Sequence, residues 1–584
     1  MSEKPIYVSE FDCYERSVPD FNEYLARWLL DSQSEDIRRF ADNELSAGLN
    51  SLQDGERAET ALLTLLGSQS SDVSSASGSE IWAALQLTQG LKKFSLGGNA
   101  AQRRIDAMQG FHDRNEAVRV FSSQGSRVAD MILERMRALL TRVLPYSETW
   151  RPRFGPGAVL EGVPTLRRWD YLASLRELGG LREGSVTDIA HALQSEEGCV
   201  KLCAVPKTWR KDRLITVEPM LATYVQQGVR RLLMESIHSG PLRGTVMDSL
   251  RRGSLPDSLQ MERALAGSES SRPWDTVDLK DASDSIPWSY VQRAFPTWVV
   301  SYLEVCRSPF YRWEGRPEEL AIYAGMGNAT TFIVEGLYFW AACTSILSMM
   351  GLKPRYGLVG VFGDDITLPN LGAGRLEVFE LLKALGLHVN QAKSFGGKAP
   401  FRESCGVYAF KGMDVRPTRL RGLRFGSVDA QEALAAILKD LWRDSHRIPL
   451  KMVLARYLSE CALEDHSVWF APYITESGPC VPWLFEPQEG GPASRDKLIK
   501  QISDLRWRKN SQRLVARGFG RKPKLSSAPA DRFSYLLGNL AGQVSVTDKG
   551  SAGGRKAHYV TVAQPYAMER CKMDYPVSRV IHPN

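Results

Sequence analysis

The chain changes texture three times. Residues 1 to about 66 mix polar and apolar positions in a helical pattern, as in DFNEYLARWLLDSQSEDIRRFADNELSAGL, and end in the Ser-rich stretch GSQSSDVSSASGSE, Gly67 to Glu80, which reads as a flexible surface loop. A second helical region, roughly 80 to 145, is broken by Gly155, Pro156 and Gly157. From about residue 200 to 430, strands, turns and helices alternate. Helical periodicity returns in AQEALAAILKDLWRDSH, and the chain closes in a basic, glycine-containing tail. The longest apolar run, Gly336 to Met350, is short for a membrane span and suits a buried core helix. No repeat of solenoid type is present.

Within the alternating region, VGVFGDDITLP places two apolar, β-branched runs on either side of a glycine and two acids, Asp364 and Asp365. A solvated hairpin tip explains Gly-Asp at a turn without further purpose. If both flanks are core strands, however, two like charges about 4 Å apart repel by about 4 kcal/mol at an effective dielectric of 20. A divalent cation would remove that cost. A second acidic group lies upstream in DTVDLKDASDSIPWSY: Thr276, Val277 and Asp278 close a short strand, and Asp281 and Asp284 follow on a turn or helix start. One carboxylate from a strand end and a pair from a neighbouring hairpin suit two cations about 3.5–4 Å apart, as phosphoryl transfer requires, and magnesium prefers such hard oxygen ligands. Asp284 or Ser285 as a plain helix cap remains the alternative.

Three further segments bear on that chemistry. KLCAVPKTWRKDRLITVEP crowds Lys201, Lys207, Arg210, Lys211 and Arg213 onto a strand-like stretch, either a cradle for a triphosphate or a solvated basic loop. YAGMGNATTFIVEGLYFW is a glycine-rich loop feeding the apolar helix, where Gly325 and Gly327 allow close backbone approach and Asn328 and Thr331 supply polar groups, unless it is a simple turn. LLKALGLHVNQAKSF follows the acid pair and carries Lys393.

Composition adds bounds. At 584 residues, 43% hydrophobic and 9% aromatic, the chain is ordinary globular material with room for several subdomains. A net charge of +7 permits a polyanionic partner without requiring one. The charge is concentrated in RWRKNSQRLVARGFGRKPK, Arg506 to Lys524, where Trp507 and Phe519 interleave as stacking platforms, or which is merely the solvated face of a helix and its tail. Nine cysteines without a CxxC pair argue against a disulfide framework or zinc site; Cys199 and Cys203 read as core thiols. The N-terminus lacks a secretory pattern.

The order of these segments, basic strands, Asp strand, glycine loop with helix, Gly-Asp-Asp hairpin, then the lysine segment, resembles the palm of a template-dependent RNA polymerase. VPKTWRKDRLITVEP, TVDLKDASDSI, MGNATTF and above all FRESCGVYAFKGMDVRP are similar to the replicase subunit of the single-stranded RNA bacteriophages, the leviviruses of the Qβ type. The resemblance implies an α+β right-hand fold: a helical N-terminal region (1–95), fingers with a basic strand pair (96–265), a palm with an antiparallel sheet backed by helices (266–430), and a helical thumb with basic tail (431–584). It implies RNA-directed RNA polymerase activity through magnesium, with manganese as a substitute, two ions per site held by Asp278, Asp364 and Asp365, the last least directly. Lys207, Arg210 and Arg213 would contact nucleotide phosphates. Asn328, with Gly327, Asp284 and Ser283, would bind the nucleotide and sense its 2′-hydroxyl, and Lys393 would act as general acid toward pyrophosphate. Partners implied are template and product RNA, ribonucleoside triphosphates, and host EF-Tu, EF-Ts and a small-subunit ribosomal RNA-binding protein, in the cytoplasm of the infected bacterium, with no membrane. Two departures stand out. Phe362 precedes Gly-Asp-Asp where tyrosine is usual, and Glu335 occupies a helix position where asparagine is usual. A reverse transcriptase, an inactive RNA-binding scaffold and a two-metal nuclease are the rival readings.

Overall fold

A computed structural model describes residues 21–49, 55–68, 72–92, 99–146, 152–164, 167–168, 170, 198–208, 210–246 and 258–420, with shorter pieces out to residue 561. In chain order the elements are α1 (Glu35–Ser46), α2 (Gly55–Gly67), α3 (Gly78–Gln89), α4 (Ala100–Ser123), α5 (Arg127–Val143), β1 (Cys199–Pro206), β2 (Asp212–Val217), α6 (Met220–Ser239), α7 (Ser258–Ser268) and β3 (Trp274–Val277). Then follow α8 (Trp288–Ala294), α9 (Thr297–Cys306), β4 (Phe310–Trp313), β5 (Arg316–Glu319), α10 (Thr331–Met349), β6 (Gly360–Phe362), β7 (Asp365–Pro369), α11 (Arg375–Ala384), β8 (Phe401–Ser404), β9 (Val407–Phe410), β10 (Met413–Asp414) and α12 (Leu450–Glu464). The fold is α+β, and its central sheet is antiparallel, β3-β7-β6.

That sheet is held because its strands are apolar on the faces they bury: Val277, Val361, Ile366 and Leu368 all join one core with α5, α6, α8, α9, α10 and α11. Helix α10 is the apolar run read from the sequence. It is long and apolar enough to cross a membrane, yet nearly every residue from Ile333 to Leu347 is buried inside the protein, Trp340 and Tyr338 completely. An all-round apolar helix of that kind belongs in the centre of a large core.

Basic strands β1 and β2 pair antiparallel, from Lys201↔Val217 to Pro206↔Asp212, and β1 continues in parallel onto β4 of the β4–β5 hairpin. A third sheet, β8-β9-β10, carries the FRESCGVYAF run. The N-terminal helices do not stand apart from it. Trp82 donates from Nε1 to the Arg416 carbonyl (3.0 Å), Gln86 exchanges hydrogen bonds with Thr418, and Tyr408 donates to Gln89 Oε1 (2.8 Å), above a shared apolar core that reaches α12.

Two expectations need correction. The Ser-rich stretch is partly folded: Ser77 and Glu80 form a capping box that starts α3, and Asp72 accepts hydrogen bonds from Ser34 Oγ (2.6 Å) and the Glu35 and Asp36 amides. The serines serve helix ends here, so composition misled. The basic Arg506–Lys524 run is not helical where it is described: Arg506–Arg508 and Arg513–Gly520 are strands of an antiparallel sheet completed by Lys556–Thr561. Gly518 and Gly520 disfavour a helix by about 1 kcal/mol each. The remainder of that run, and most of 431–584, where the helical thumb was expected, lies outside the described residues.

The acid hairpin turns on Gly363, at φ 63°, the first of two loop residues between the paired Phe362 and Asp365, as a primed hairpin turn demands. A Cβ there would run into the ring of Phe332, which packs edge-to-face on Phe362 at 5.1 Å. Gly363→Ala should therefore lower stability by about 1–3 kcal/mol, read as a shift in the urea midpoint; an unchanged midpoint would show that the turn carries no such strain.

Candidate active site

The register Val277↔Ile366 sets the C-terminal end of β3 beside the N-terminal end of β7, so Asp278 and the Asp364–Asp365 pair emerge at one end of the sheet. Asp278 is half-buried and Asp364 exposed. Asp278 accepts from Asn390 Nδ2 (2.9 Å), its amide donates to Ser394 Oγ (3.1 Å), and its carbonyl accepts the Asn390 amide (2.8 Å). Burial, and then the like charge of Asp364, push the Asp278 carboxyl above its ordinary range, against the pull of Lys393 and the Asn390 hydrogen bond.

Asp365 behaves differently. Its Oδ1 accepts the Cys405 amide (2.8 Å) and lies 3.4 Å from Ser404 Oγ, so the side chain is tied to the β8–β9 turn. Burial and the neighbouring Asp364 raise it to about 7. Among the described residues no group of three or more His, Cys, Asp or Glu stands in a metal-holding arrangement. With Asp365 tethered, Asp278 and Asp364 are the pair whose mutual repulsion, opposed in part by Lys393 and Asn390, and hard oxygen donors fit a divalent cation.

Glu335 lies one turn inside α10, buried at 5% exposure. Burial drives its carboxyl well above the usual range, with Asp364, Asp284 and Asp365 adding like charge and Arg213 opposing. Five of the residues singled out in the sequence thus share one neighbourhood. The glycine loop closes it: Asn328 is buried, its Oδ1 accepts from the Thr330 amide (2.9 Å) and hydroxyl (2.6 Å), and its Nδ2 is buried without a partner. Gly327, at φ 128°, lies against the Thr216 carbonyl of β2, where any Cβ would collide; its part here is to let the loop rest on the basic strand, whose Thr216 amide donates to Met326 (2.7 Å).

The basic residues converge as well. A cavity of about 420 Å³ is lined by Lys207, Arg210 and Lys211 of the β1–β2 turn, Lys393 and Asn390 of the segment after α11, and Lys92, Glu59 and Glu56 from the N-terminal helices. Partial desolvation lowers the Lys207 ammonium below the ordinary lysine range, Arg213 and Lys393 lower it further, and Asp364 opposes. A pocket that crowds cations together is suited to an anion with several charges. Arg213 is exposed on β2, near Lys207.

Several partners escape local sequence reading. Asn390, Cys405 and Ser404 position the acids from segments distant in the chain. Arg402, fully buried, donates to the Trp274 carbonyl (2.6 Å) and to the carbonyls of Ala399 and Phe401, with Asp275 at 3.6 Å, and so anchors the start of β3. The runs FRESCG and LLKALGLHVNQAKSF were the signals for this group, and they carried no roles for these four residues. Phe362 keeps its ring in the contact with Phe332, a packing task that needs no hydroxyl.

With this geometry in view, comparison with known proteins is informative. Residues 178–441 match the family of RNA replicase beta chains. The RNA-directed RNA polymerase beta chain of Enterobacteria phage GA is 33% identical over 216 residues, 37% of either chain. That of Escherichia phage MS2 is 32% identical over 237 residues, 41% of this chain and 40% of that one, and the beta subunit of Escherichia virus Qbeta is 31% identical over 245 residues, 42% and 38%. The chain thus spans 37% to 40% of the length of these relatives. Residues 178–441, which match the family, contain every acid and base described above except those of the N-terminal helices. Among solved structures, an RdRp complex shares 12% identity at a TM-score of 0.35, covering 57% of this chain and 31% of that chain, and the BmCPV RNA-dependent RNA polymerase at elongation state shares 13% at 0.34, covering 59% and 32%. The fold assignment rests on the strand pairing rather than on those two likenesses.

Asn390→Asp places a second carboxylate where a donor now lies 2.9 Å from Asp278. Mutual repulsion raises the folded-state carboxyl pKa above its unfolded value, so stability is retained below about pH 4 and lost as pH rises through and above that range. The variant should be about 2 kcal/mol less stable than Asn390→Ala at pH 8 and nearly equal to it at pH 4, measured by urea denaturation; equal stabilities at pH 8 would contradict the contact.

Proposed function

We propose that the chain is an RNA-directed RNA polymerase that copies a single-stranded RNA phage genome by nucleotidyl transfer from ribonucleoside triphosphates, releasing pyrophosphate. The observation that carries this reading is the juxtaposition of Asp278 and Asp364 at adjoining strand ends with a cation-lined cavity that shares Asn390 and Lys393 with them. The similarity to beta chains named RNA-directed RNA polymerase supports it over the same residues. No feature of the described site favours the reverse transcriptase, scaffold or nuclease alternatives.

In this reading Asp278 and Asp364 would hold magnesium, and Asp365 positions the hairpin through its bonds to the β8–β9 turn. Magnesium would supply activation of the 3′-hydroxyl and charge neutralisation at the leaving pyrophosphate. Lys207 and Arg210 receive the triphosphate from the cavity side with Arg213 beside them, and Lys393 stands where a proton could be delivered to the leaving group. The unpartnered Nδ2 of Asn328 and the carboxyl of Asp284 are the polar groups offered to the ribose. The domain division into N-terminal region, fingers, palm and thumb, the host elongation factors and ribosomal protein, and the bacterial cytoplasm are part of the same proposal.

Asp364→Asn should reduce ribonucleotide incorporation on a single-stranded RNA template at least about 1,000-fold while leaving RNA binding within about twofold. Labelled-nucleotide incorporation and filter binding measure the two; near wild-type synthesis by the variant would overturn the reading.

A further inference from the structure

The long helix α4 lies outside the span that matches the replicase family, yet one turn of it touches both groups that flank the proposed ribose site. Arg114 Nη2 donates to Asp284 Oδ2 at 3.2 Å, and Asp284 is buried at 5% exposure. The Arg114 side chain is itself only about one-third exposed, and its Nε is buried without a hydrogen-bond partner. The next residue, Asn115, is completely buried. Its Oδ1 accepts the amides of Ala321 (2.8 Å) and Ile322 (3.4 Å), and its Nδ2 donates to the Glu319 carbonyl (2.9 Å). That segment runs directly into the glycine loop and Asn328.

The helix cannot slide to satisfy one contact at the expense of the other. Arg119 Nη2 donates to the same Glu319 carbonyl (2.9 Å), and His112 stacks on Trp313 at 4.4 Å and hydrogen-bonds the Tyr311 hydroxyl (2.7 Å). The loop bearing Asp284 is under its own constraint: Asp281 adopts φ 47°, a left-handed conformation for a non-glycine, and its carbonyl accepts the Asp284 amide (3.0 Å). Segments 286–288 and 321–323 are joined to each other by main-chain hydrogen bonds. Asp284 and the approach to Asn328 are therefore set relative to one another by a single external clamp.

We propose that Arg114 is a positioning residue for sugar selection: by pairing with Asp284 it holds that carboxylate oriented so that a nucleotide bearing a 2′-hydroxyl is preferred. A buried carboxylate that loses its cation is left uncompensated and either turns away or takes up a proton. Turning away removes the acceptor aimed at the 2′-hydroxyl, and protonation converts it into a group that donates as well as accepts and so sorts the sugars less sharply. This inference rests on the polymerase reading and adds to it a role for a helix that the family match does not include.

The test measures kcat/KM for a ribonucleotide and its 2′-deoxy counterpart with the full chain, Arg114→Gln and Arg114→Lys, each checked for folding by circular dichroism. Arg114→Gln should narrow the ribo-to-deoxy preference about tenfold, chiefly through a raised KM for the ribonucleotide, and Arg114→Lys should recover most of it. Equal loss for both nucleotides, or an unchanged ratio, would overturn the proposal, because a merely structural helix contact would not sort sugars. Should Arg114→Gln fail to fold, Arg114→Met, which keeps the apolar stem and removes the cation, takes its place with the same expected narrowing and the same overturning result. A wild-type chain that incorporates neither nucleotide even when supplied with the host elongation factors defeats the polymerase reading instead.

Discussion

The pairing of β3 with β7 is the constraint on which the rest depends. Its register, Trp274↔Pro369 through Val277↔Ile366, forces acids from two distant segments out of the same end of one sheet. A slip of one residue would send every side chain of the strand to the opposite face, burying Asp278 where Val277 now packs. Much of the surrounding structure resists that slip. Arg402 grips the Trp274 carbonyl from behind, Arg263 lies over the Trp274 ring at 4.0 Å, and Thr276 exchanges main-chain hydrogen bonds with Phe395 on the other edge. The repulsion created at the sheet's end is the cost of that arrangement, and it is also what makes the site receptive to a cation.

The N-terminal helices share in the site instead of standing beside it. Lys92 and Glu59 line the cationic cavity, joined by a 2.6 Å ion pair, and Lys211 reaches Glu56 across the same gap at 2.6 Å. These contacts tie α2 and the residues after α3 to the β1–β2 turn that presents Lys207. The Lys211 pair is largely exposed, so it contributes little to stability, on the order of 0–1 kcal/mol; its effect is on where the turn sits. Glu218 adds a buried link, accepting from Ser308 (2.8 Å) and Gln226 (3.2 Å), while Gln226 in turn accepts the Ala329 amide (3.2 Å) of the glycine loop.

What could be read from the sequence was local. Alternation around Gly363 gave the hairpin, the strand before Asp278 ended where expected, and the run from Gly336 to Met350 is the core of a buried helix, because each of these features is written in a few adjacent residues. The partners that position the acids are separated from them by 112 residues in the case of Asn390 and 40 in the case of Cys405, and no periodicity carries such information. Asp365 is expected from the resemblance to be the least direct of the three acids, but only the fold shows that its carboxylate is engaged by the Cys405 amide. The serines of 67–80 and the basic residues of 506–524 misled for the opposite reason, since their composition is shared by loops, caps, helices and strands alike.

The central claim is the proposal that Asp278 and Asp364 would together hold a divalent cation. Iron(II) substituted for magnesium, with added hydrogen peroxide as oxidant and ascorbate to return iron(III) to iron(II), generates hydroxyl radicals that cut the backbone near the ion, and the cut sites can be mapped on the folded chain. The account predicts cuts confined to the neighbourhoods of 276–280, 362–366 and 390–394, suppressed by excess magnesium. Cuts elsewhere, or none that magnesium suppresses, would contradict it.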